Sequence, residues 1–349
     1  MSDTMKAAVL HGVEDLRIDD VPVPSLPSPH DVIVRIQQVG VCGSDIHYFR
    51  HGRIAHFVVQ EPMILGHECA GEVVEVGDEV TTLKQGDRVA LEPGVPCRRC
   101  EFCHEGKYNL CADVVFFATP PVDGAFCEYV ASPADFAYKL PDNVSAEEGA
   151  MMEPLAVGMW STHRARVGAG DSVAILGAGP IGLVTLQAAR ARGATTLIIS
   201  DVEQPRLDFA GKLGATHALN ARECDVVEAV KEITGGRGTD SVLEAAGTVE
   251  TLNQALKAVK TGGRVIVIGA PPQDEAPISI PDLILRELDI GGIFRYANMY
   301  PRAVAAVAAG RIDVKSMITH HYALPETREA LVFADENKSE CLKVAVSVE

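Results

Sequence analysis

Residues 171–201 read DSVAILGAGPIGLVTLQAARARGATTLIISD. Residues 173–176 and 197–199 are continuous apolar runs, which are typical of parallel strands covered on both faces. Between them, Leu183 and Leu186 lie three residues apart, which favours a helix with one apolar face. The stretch therefore predicts a strand, a glycine turn, a helix and a second strand, the repeating unit of a parallel α/β sheet.

A glycine-rich turn joins the first of these strands to the helix. Its sequence from Gly177 to Gly182 fits G-x-G-x-x-G, and its position between a strand and a helix is the context that supports dinucleotide binding. Gly177 permits the tight turn, Gly179 lets the backbone approach a pyrophosphate, and Gly182 lets the helix pack on the strand. The helix N-terminus would face the negative charge. The alternative is a plain strand–helix turn without a ligand.

Asp201 lies at the end of the second strand, 24 residues after Gly177. Its carboxylate can accept hydrogen bonds from the adenosine ribose and would repel a 2′-phosphate, which favours NAD over NADP. Alternatively, Asp201 caps the helix that begins near Gln204. Arg206 weakens the preference for NAD, since an arginine there can meet a phosphate, and it can equally be solvated or lie over the adenine.

The rest of the chain predicts two domains. After residue 201, helices and apolar strands such as DSVLEAAG and RVIVIGA alternate, which indicates a doubly wound parallel sheet. Residues 1 to about 150 instead show short alternating runs such as DVIVRIQQVG between Gly and Asp turns, which predicts a β-rich half. A length of 349 residues is enough for two domains.

Composition and charge exclude several classes of function. The net charge is −17, and there is no Lys/Arg run, so nucleic-acid binding is not expected, because it requires a basic surface. The longest apolar runs are too short to cross a bilayer, and the N-terminal residues lack the features of a secretory signal. We therefore expect a cytoplasmic protein whose nine cysteines are reduced thiols or metal ligands.

Four of the cysteines are clustered. Cys97, Cys100, Cys103 and Cys111 follow the pattern C-x2-C-x2-C-x7-C, and four thiolates in one loop are typical of a closed structural zinc site. Cys100, Cys103 and His104 also fit the spacing of c-type haem attachment, but that interpretation leaves two cysteines unexplained and requires export. A redox dithiol is expected near a thioredoxin-like βαβ unit rather than in a β-rich half. Free thiols remain an alternative, and we predict a structural zinc.

A catalytic zinc keeps one coordination position open, and its candidate ligands lie elsewhere in the chain. Cys42, in VGVCGSDIHYFRHG, offers a thiolate, while His67 and Glu68, in LGHECAGEV, offer an imidazole and a carboxylate. Glu153, in EGAMMEPLAVG, is a further acid just before the predicted sheet. Each has a simpler interpretation when taken singly, because a lone cysteine is usually a buried apolar residue and a lone glutamate usually lies on the surface.

Six motifs occur in the order of a known family: VCGSDIHY, GHE, the four-cysteine cluster, EPLAVG, GAGPIG and FRYAN. Along essentially its whole length the chain resembles zinc-dependent medium-chain dehydrogenases, most closely the sorbitol/xylitol (polyol) dehydrogenase branch. The resemblance implies a GroES-like catalytic domain over residues 1–154, with a zinc lobe at 92–112. It further implies a Rossmann NAD-binding domain over 155–293 and a C-terminal segment, 294–349, that returns to the catalytic domain.

The same resemblance implies roles for the site residues. Cys42, His67 and Glu68 would hold the catalytic zinc, and Glu153 would bind it directly or act through water. Ser44 would begin a proton relay that His47 continues. The positions that match polyol contacts are Tyr48, Glu153, Arg295 and Tyr296. The positions that match cofactor contacts are Gly177, Gly179, Pro180, Ile181, Gly182, Asp201, Arg206, Ile268, Gly269, Ala270, Ile293, Phe294 and Arg295.

The resemblance thus implies an enzyme that oxidises a secondary hydroxyl of a polyol, such as sorbitol or xylitol, to a ketose with NAD. One catalytic and one structural zinc ion per subunit and a homo-oligomer are expected, a tetramer being favoured over a dimer. Some sorbitol dehydrogenases lack the complete cysteine lobe, so the resemblance does not decide which polyol is the substrate. A threonine- or 2,3-butanediol-type dehydrogenase is the alternative on the same scaffold. A zinc-stabilised NAD(H)-binding protein without turnover is the alternative from another class.

Overall fold

The computed structural model describes residues 3–271, 273 and 275–348. The chain forms two units. The first comprises the chain up to Glu153, Tyr300–Ala309 and the chain from Val314 onward, and the second comprises Pro154–Met299 and Gly310–Asp313. Residues 294–299 thus fall in the second unit, whereas the predicted limits assigned them to the C-terminal segment. At Tyr300 the chain is anchored in the first unit, because the buried hydroxyl of Tyr300 donates a hydrogen bond to the carbonyl of Leu91 at 2.9 Å.

The first unit is mostly β. Its main sheet has the order β12–β8–β7–β3–β20–β19, with β11 also paired to β3, where β19 is Ile318–Ala323 and β20 is Lys343–Ser347. The C-terminal strand β20 therefore lies beside β3, near the start of the chain. The strands up to the unit boundary are β1 Thr4–Gly12, β2 Asp15–Pro22, β3 Asp31–Gly40, β4 Arg53–Ile54, β5 Phe57–Val58, β6 Met63–Ile64, β7 Glu68–Val76, β8 Arg88–Leu91, β9 Gly94–Val95, β10 Val115–Phe116, β11 Tyr129–Pro133 and β12 Ala137–Lys139. The helices are α1 Gly43–His51, α2 Glu101–His104, α3 Ala146–Ala150 and α4 Met152–Arg164, and the unit boundary falls within α4.

The second unit contains a six-stranded parallel sheet with the order β15–β14–β13–β16–β17–β18. This is the strand order of a Rossmann fold. From β13 the strands β14 and β15 are added toward one edge of the sheet, and β16, β17 and β18 are then added toward the other edge. The elements are β13 Ser172–Leu176, α5 Pro180–Ala191, β14 Thr196–Asp201, α6 Gln204–Lys212, β15 His217–Asn220, α7 Val226–Ile233, β16 Thr239–Glu244, α8 Val249–Ala258, β17 Val259–Val267, α9 Ile280–Leu285 and β18 Asp289–Gly292. The fold class predicted from the sequence is confirmed: a β-rich unit and a doubly wound parallel sheet.

After Met299, the chain adds α10 Tyr300–Ala308, β19 Ile318–Ala323, α11 Thr327–Glu336 and β20 Lys343–Ser347. β20 pairs in parallel with β19 and antiparallel with β3, so the last strand closes the first unit's sheet. Its valines are buried in the same apolar core as those of β3. Among the described residues, no helix combines the length and the apolar character needed to cross a membrane.

Candidate metal and cofactor sites

Three candidate metal ligands of the first unit lie together. Each of the three side chains, Cys42, His67 and Glu68, offers one ligand atom, and these three atoms lie within 4.8 Å of one another. Cys42 lies between β3 and α1, while His67 directly precedes β7, the neighbour of β3, and Glu68 begins it. The antiparallel pairing of these strands therefore assembles the cluster from two separate sequence motifs.

Asp45 ties the two motifs to each other. Its buried carboxylate accepts hydrogen bonds from the backbone N–H of Cys42 at 2.9 Å and of Gly66 at 3.0 Å. The same carboxylate lies 3.7 Å from Nδ1 of His67. Burial by itself lowers the pKa of His67, but the charges of Asp45 and Cys42 outweigh it and raise the pKa well above its usual value. A carboxylate behind an imidazole is the arrangement that orients a metal-binding histidine, and the sequence analysis overlooked it.

Lys343, from β20, contacts the carboxylate of Glu68. Its ammonium donates a hydrogen bond to Oε1 of Glu68 at 2.6 Å and also touches Oε2. The two side chains are 4% and 1% exposed, so this ion pair is almost completely buried. Sequence reasoning missed Lys343, because a single lysine at the first position of an apolar strand resembles an ordinary strand end.

Glu153, in the first turn of α4, is buried in the first unit. Its charge contributes to raising the pKa values of Lys343 and Glu92, so it lies within electrostatic reach of both. Among the described residues, however, it does not join the cluster of Cys42, His67 and Glu68. Direct coordination by Glu153 therefore has no support from the geometry, whereas a role through water remains compatible with it.

The residues present fit a catalytic zinc. A thiolate, an imidazole and a carboxylate are donors that zinc takes, and three protein ligands leave a position open. Oε2 of Glu68 is buried, and the Lys343 ammonium contacts it. The fit to zinc therefore rests on the donor types of the three side chains and on their convergence.

The four clustered cysteines also converge. The sulfur atoms of Cys97, Cys100, Cys103 and Cys111 lie within 4.8 Å of one another, with 3.4 Å between Cys100 and Cys103 and 4.0 Å between Cys97 and Cys103. Tetrahedral zinc with bonds of about 2.3 Å requires sulfur separations of about 3.8 Å. The side chain of His104 is exposed and is not part of this cluster. The arrangement therefore fits a closed zinc site rather than haem attachment through two of the cysteines.

The glycine turn of the second unit connects β13 to α5. Gly177 has φ +104°, and a Cβ there would come within 2.8 Å of the backbone nitrogen of Ala246. At Gly182 a Cβ would collide with the carbonyl of Gly177. At Gly179 the nearest atom to an added Cβ is Nη1 of Arg206 at 3.8 Å, so space remains in front of the helix. The turn thus leaves backbone accessible at the N-terminus of α5, where a phosphate can bind.

Asp201 ends β14, and its carboxylate lies against this turn. Oδ2 accepts a hydrogen bond from the N–H of Ala178 at 2.7 Å, and Oδ1 accepts one from the N–H of Glu203 at 2.9 Å. The N-cap of α6 is Glu203, so the alternative in which Asp201 caps this helix is wrong. A carboxylate can accept about four hydrogen bonds, and backbone N–H groups supply two of them. The Asp201 carboxylate can therefore accept further hydrogen bonds from ribose hydroxyls.

The other predicted cofactor residues follow the carboxyl ends of parallel strands. Pro180 and Ile181 open α5 at the end of β13. The segment after β17 contains Ile268, Gly269 and Ala270, and the segment after β18 contains Ile293, Phe294 and Arg295. Carboxyl ends of parallel strands meet at one edge of a sheet, which is where such folds bind ligands.

The remaining predicted residues divide between the units. On α1 of the first unit, Ser44 is half-buried, His47 is exposed and Tyr48 is buried. In the second unit, Arg295 has φ +53°, its guanidinium lies 4.7 Å from the Phe294 ring centroid, and Tyr296 is buried. Their roles toward substrate stay predictions.

Glu92 is a buried carboxyl that the sequence did not single out. It directly follows β8, it is 1% exposed, and Tyr108 donates a hydrogen bond to it at 2.6 Å. Burial raises its pKa to about 7, although hydrogen bonds from Tyr108 and Tyr138 lower it. Because Tyr108 belongs to the cysteine lobe, Glu92 connects that lobe to the sheet.

Glu92→Gln is expected to flatten the pH dependence of stability. Glu92 stays protonated in the folded protein up to about pH 7, but an unfolded glutamate ionises above about pH 4.3. Folding stability therefore falls as the pH rises through this window, because the unfolded chain binds fewer protons there. The full difference is about 3.7 kcal/mol. The amide cannot ionise and still accepts the Tyr108 hydrogen bond.

Urea unfolding of both proteins between about pH 5 and 8 measures this effect. The free energies of unfolding should converge at low pH and separate as the pH rises, with the variant more stable. Glu101→Gln, at an exposed glutamate of the same lobe, is the control. Parallel curves for wild type and Glu92→Gln would show that Glu92 is not held protonated.

The fold and these clusters define a class: dinucleotide-binding proteins with a Rossmann sheet and metal-ligating sites in a β-rich unit. Residues 28–142 match the family model of the alcohol dehydrogenase GroES-like domain. Residues 180–309 match the family model of the zinc-binding dehydrogenases.

Known proteins agree with these matches over nearly the whole chain. The sequence is 48% identical to sorbitol dehydrogenase of Bacillus subtilis over 98% of this chain and 97% of that protein. It is 45% identical to a probable D-xylulose reductase of Aspergillus clavatus over 92% and 91% of the two chains. The crystal structure of an oxidoreductase/dehydrogenase of unknown specificity from Escherichia coli superimposes with a TM-score of 0.95, at 41% identity and 99% coverage of each chain. The chain belongs to the zinc-binding medium-chain dehydrogenases, in their polyol dehydrogenase branch.

Proposed function

We propose that this protein oxidises a secondary hydroxyl of a polyol to a ketose and passes the hydride to NAD. The observation that carries the proposal is the cluster of Cys42, His67 and Glu68 within 4.8 Å. This three-ligand site occurs in a chain that is 48% identical to a sorbitol dehydrogenase. A binding protein without turnover would not need such an open set of ligands, so the enzyme is favoured over the non-catalytic alternative.

Cys42, His67 and Glu68 would hold the catalytic zinc, with Asp45 orienting the imidazole. When bound, zinc supplies Lewis acidity that lowers the pKa of a hydroxyl and so favours loss of its proton. Glu153 would accept that proton through water, or Ser44 would pass it to the exposed His47. A proton acceptor within reach of the hydroxyl, directly or through one water, is what general-base catalysis requires.

A second zinc would bind Cys97, Cys100, Cys103 and Cys111 and hold the lobe in shape without taking part in the reaction. Thiolates that surround a metal completely leave no position for substrate. The sulfur separations of 3.4 and 4.0 Å support this structural role.

The cofactor would be NAD. Gly177, Gly179 and Gly182 would place its pyrophosphate at the N-terminus of α5, and Asp201 would bind the adenosine ribose. Arg206, whose Nη1 approaches Gly179, would lie beside the pyrophosphate or the adenine. The residues after β17 and β18 would border the nicotinamide half.

Arg295 and Tyr296, with Tyr48, would hold neighbouring hydroxyls of the substrate. A polyol offers such groups along its chain, whereas a simple alcohol offers none. Hydrogen bonds from charged or buried donors discriminate strongly against a substrate that lacks the partner. Sorbitol and xylitol are the first candidates, and a threonine- or 2,3-butanediol-type activity is the alternative.

Initial rates of NADH formation with sorbitol, xylitol, arabinitol, threonine and 2,3-butanediol test the proposal. The zinc-replete protein is used, with NAD and NADP compared for each substrate. We expect kcat/KM to be highest for a polyol with NAD. A preference for threonine or butanediol would contradict the proposed substrate pocket and leave the metal and cofactor sites standing, while no turnover with any substrate would favour the non-catalytic alternative.

A homo-oligomer, with a tetramer favoured over a dimer, is part of the proposal, as is a cytoplasmic location. Four large apolar side chains on α9 and the edge strand β18 are exposed, namely Ile280, Ile284, Leu285 and Ile290. Among the described strands, β18 pairs only with β17. Such an apolar edge supports association with a second copy, and sedimentation analysis of the native protein would measure it.

A further inference from the structure

Two exposed histidines lie one turn apart at the end of α1. The helix ends in HYFRH, so His47 and His51 are four residues apart and share one face of the helix. Their ring centroids are 5.5 Å apart. Among the residues that the structure describes, neither ring has a partner for a hydrogen bond or an ion pair. The two imidazoles therefore offer ring nitrogens that the fold itself does not use.

The backbone at the end of α1 fixes the spacing of the two histidines. Gly52 caps the helix in the left-handed conformation, with φ +66°, and its N–H donates a hydrogen bond to the carbonyl of Tyr48 at 2.8 Å. The carbonyl of Gly52 in turn accepts a hydrogen bond from the N–H of Val59 at 2.8 Å. Because the cap is held from both sides, His51 belongs to a well-formed last turn, and its distance from His47 is set by helical geometry.

The separation of the two rings suits a shared transition-metal ion. Zinc binds imidazole nitrogens at about 2.1 Å, which places the metal about 3.2 Å from each ring centre and the two centres about 5.2 Å apart in tetrahedral coordination. The observed separation of 5.5 Å is close to this value. Two histidines four residues apart on one helix face are a recurring zinc-binding arrangement. Tyr48 occupies the position of the glutamate in metalloprotease helices, so the pair lacks the general base of those enzymes.

Carboxylates compensate the positive charge of Arg50, which lies between the two histidines in the sequence. Its guanidinium is 2.6 Å from Glu14, 2.9 Å from Asp335 and 3.0 Å from Glu336. Lys338 also contacts Asp335, at 3.3 Å, so three carboxylates face two cations in this group. Arg50 therefore leaves no unbalanced positive charge in this group, and the C-terminus of α1 adds a negative partial charge that favours a bound cation.

We propose that His47 and His51 form a surface site for a divalent transition-metal ion such as zinc, separate from the two zinc sites proposed above. Water completes the coordination, so this site binds metal more weakly than sites with three or four protein ligands. His47 is also the proposed acceptor of the proton from Ser44, and a ring nitrogen that binds a metal cannot accept a proton. Excess zinc therefore inhibits the oxidation, a consequence that rests on the proposed function.

Equilibrium dialysis of the zinc-loaded protein, without an affinity tag, against excess Zn²⁺ tests the site, with the bound metal measured by mass spectrometry. The wild type should take up a further ion, and His51→Gln and His47→Gln should each weaken this binding by about tenfold or more, since one of two ligands is lost. His56→Gln is the control, because His56 is exposed but its ring packs on Phe57 at 4.1 Å between centroids. Uptake that is the same in wild type and His51→Gln would overturn the proposal.

Rates of NADH formation at increasing Zn²⁺ test the inhibition. Without added zinc, His51→Gln should match the wild-type kcat/KM, because His51 has no part in the proposed reaction. The zinc concentration that halves the rate should rise about tenfold or more in this variant. Equal inhibition of both proteins, or uptake that depends on His51 without inhibition, would overturn the regulatory role. Absence of turnover with any substrate would contradict the proposed function and with it the inhibition, while the dialysis still decides the metal site.

Discussion

Cys42→Ser is expected to remove the catalytic zinc and to lower kcat/KM for polyol oxidation by about four orders of magnitude or more. A serine hydroxyl is a poor zinc ligand at neutral pH, because the metal binds the deprotonated donor. Only His67 and Glu68 would remain, and the Lys343 ammonium already contacts both oxygens of Glu68. With one zinc at each proposed site, the zinc content should fall from two ions per chain to one, whereas Cys103→Ser should lose the zinc proposed for the cysteine cluster and lower the thermal stability.

Glu153→Ala is the matched comparison, since it removes a buried acid from the same unit but outside the cluster of three ligands. We expect both zinc ions to remain and kcat/KM to fall by about 10²–10⁴-fold, the range that a proton-transferring group supplies. Zinc analysis by mass spectrometry and steady-state kinetics on the same samples separate the two variants. Loss of zinc in Glu153→Ala would make Glu153 a direct ligand, and retention of full activity in Cys42→Ser would contradict the proposed catalytic site.

Asp201→Ala is expected to shift the cofactor preference from NAD toward NADP by about 10²-fold in the ratio of kcat/KM values. The substitution removes a charged hydrogen-bond acceptor for the ribose, worth about 1.5–3 kcal/mol, and the repulsion of a 2′-phosphate. The guanidinium of Arg206, which approaches Gly179, would then attract the 2′-phosphate without a carboxylate at residue 201. Kinetics with each cofactor at saturating polyol measure the ratio.

Asp201→Asn separates the two contributions. Its amide oxygen can still accept the hydrogen bond that Oδ2 receives from Ala178, so the turn keeps its support while the charge is lost. We expect NADP to gain in this variant and NAD to lose less than in Asp201→Ala. If neither substitution changes the ratio, Asp201 serves only to hold the turn, and the cofactor preference arises elsewhere.

Local sequence patterns were sufficient for the fold class. The apolar run before Gly177 appears as β13, all five of whose residues are buried, and the run before Asp201 appears as β14. Such runs are specific because strands of a parallel sheet are covered on both faces. The spacing of Cys97, Cys100, Cys103 and Cys111 likewise predicted a cluster that the structure assembles, since all four lie in one short loop.

The catalytic ligands were harder to predict from the residues alone. Cys42 and His67 come together only through the pairing of β3 with β7. No local sequence pattern predicts which strands pair. Their assignment depended on resemblance to a family rather than on spacing. Asp45 was within reach of sequence reasoning, because a carboxylate three residues after a candidate cysteine can bond back to that residue's backbone.

The sequence by itself determined the parallel sheet, the glycine turn and the cysteine lobe, because each depends on residues close to one another in the chain. Only the tertiary structure decided that Lys343 meets Glu68 and that Glu92 is buried beneath Tyr108. Lys343 is 275 residues from Glu68, and the contact exists because β20 returns to β3 and Gly40 leaves room for it. Burial and the neighbouring charge then determine the ionisation of each carboxyl group: an opposite charge favours the ionised form, and burial without one favours the neutral form.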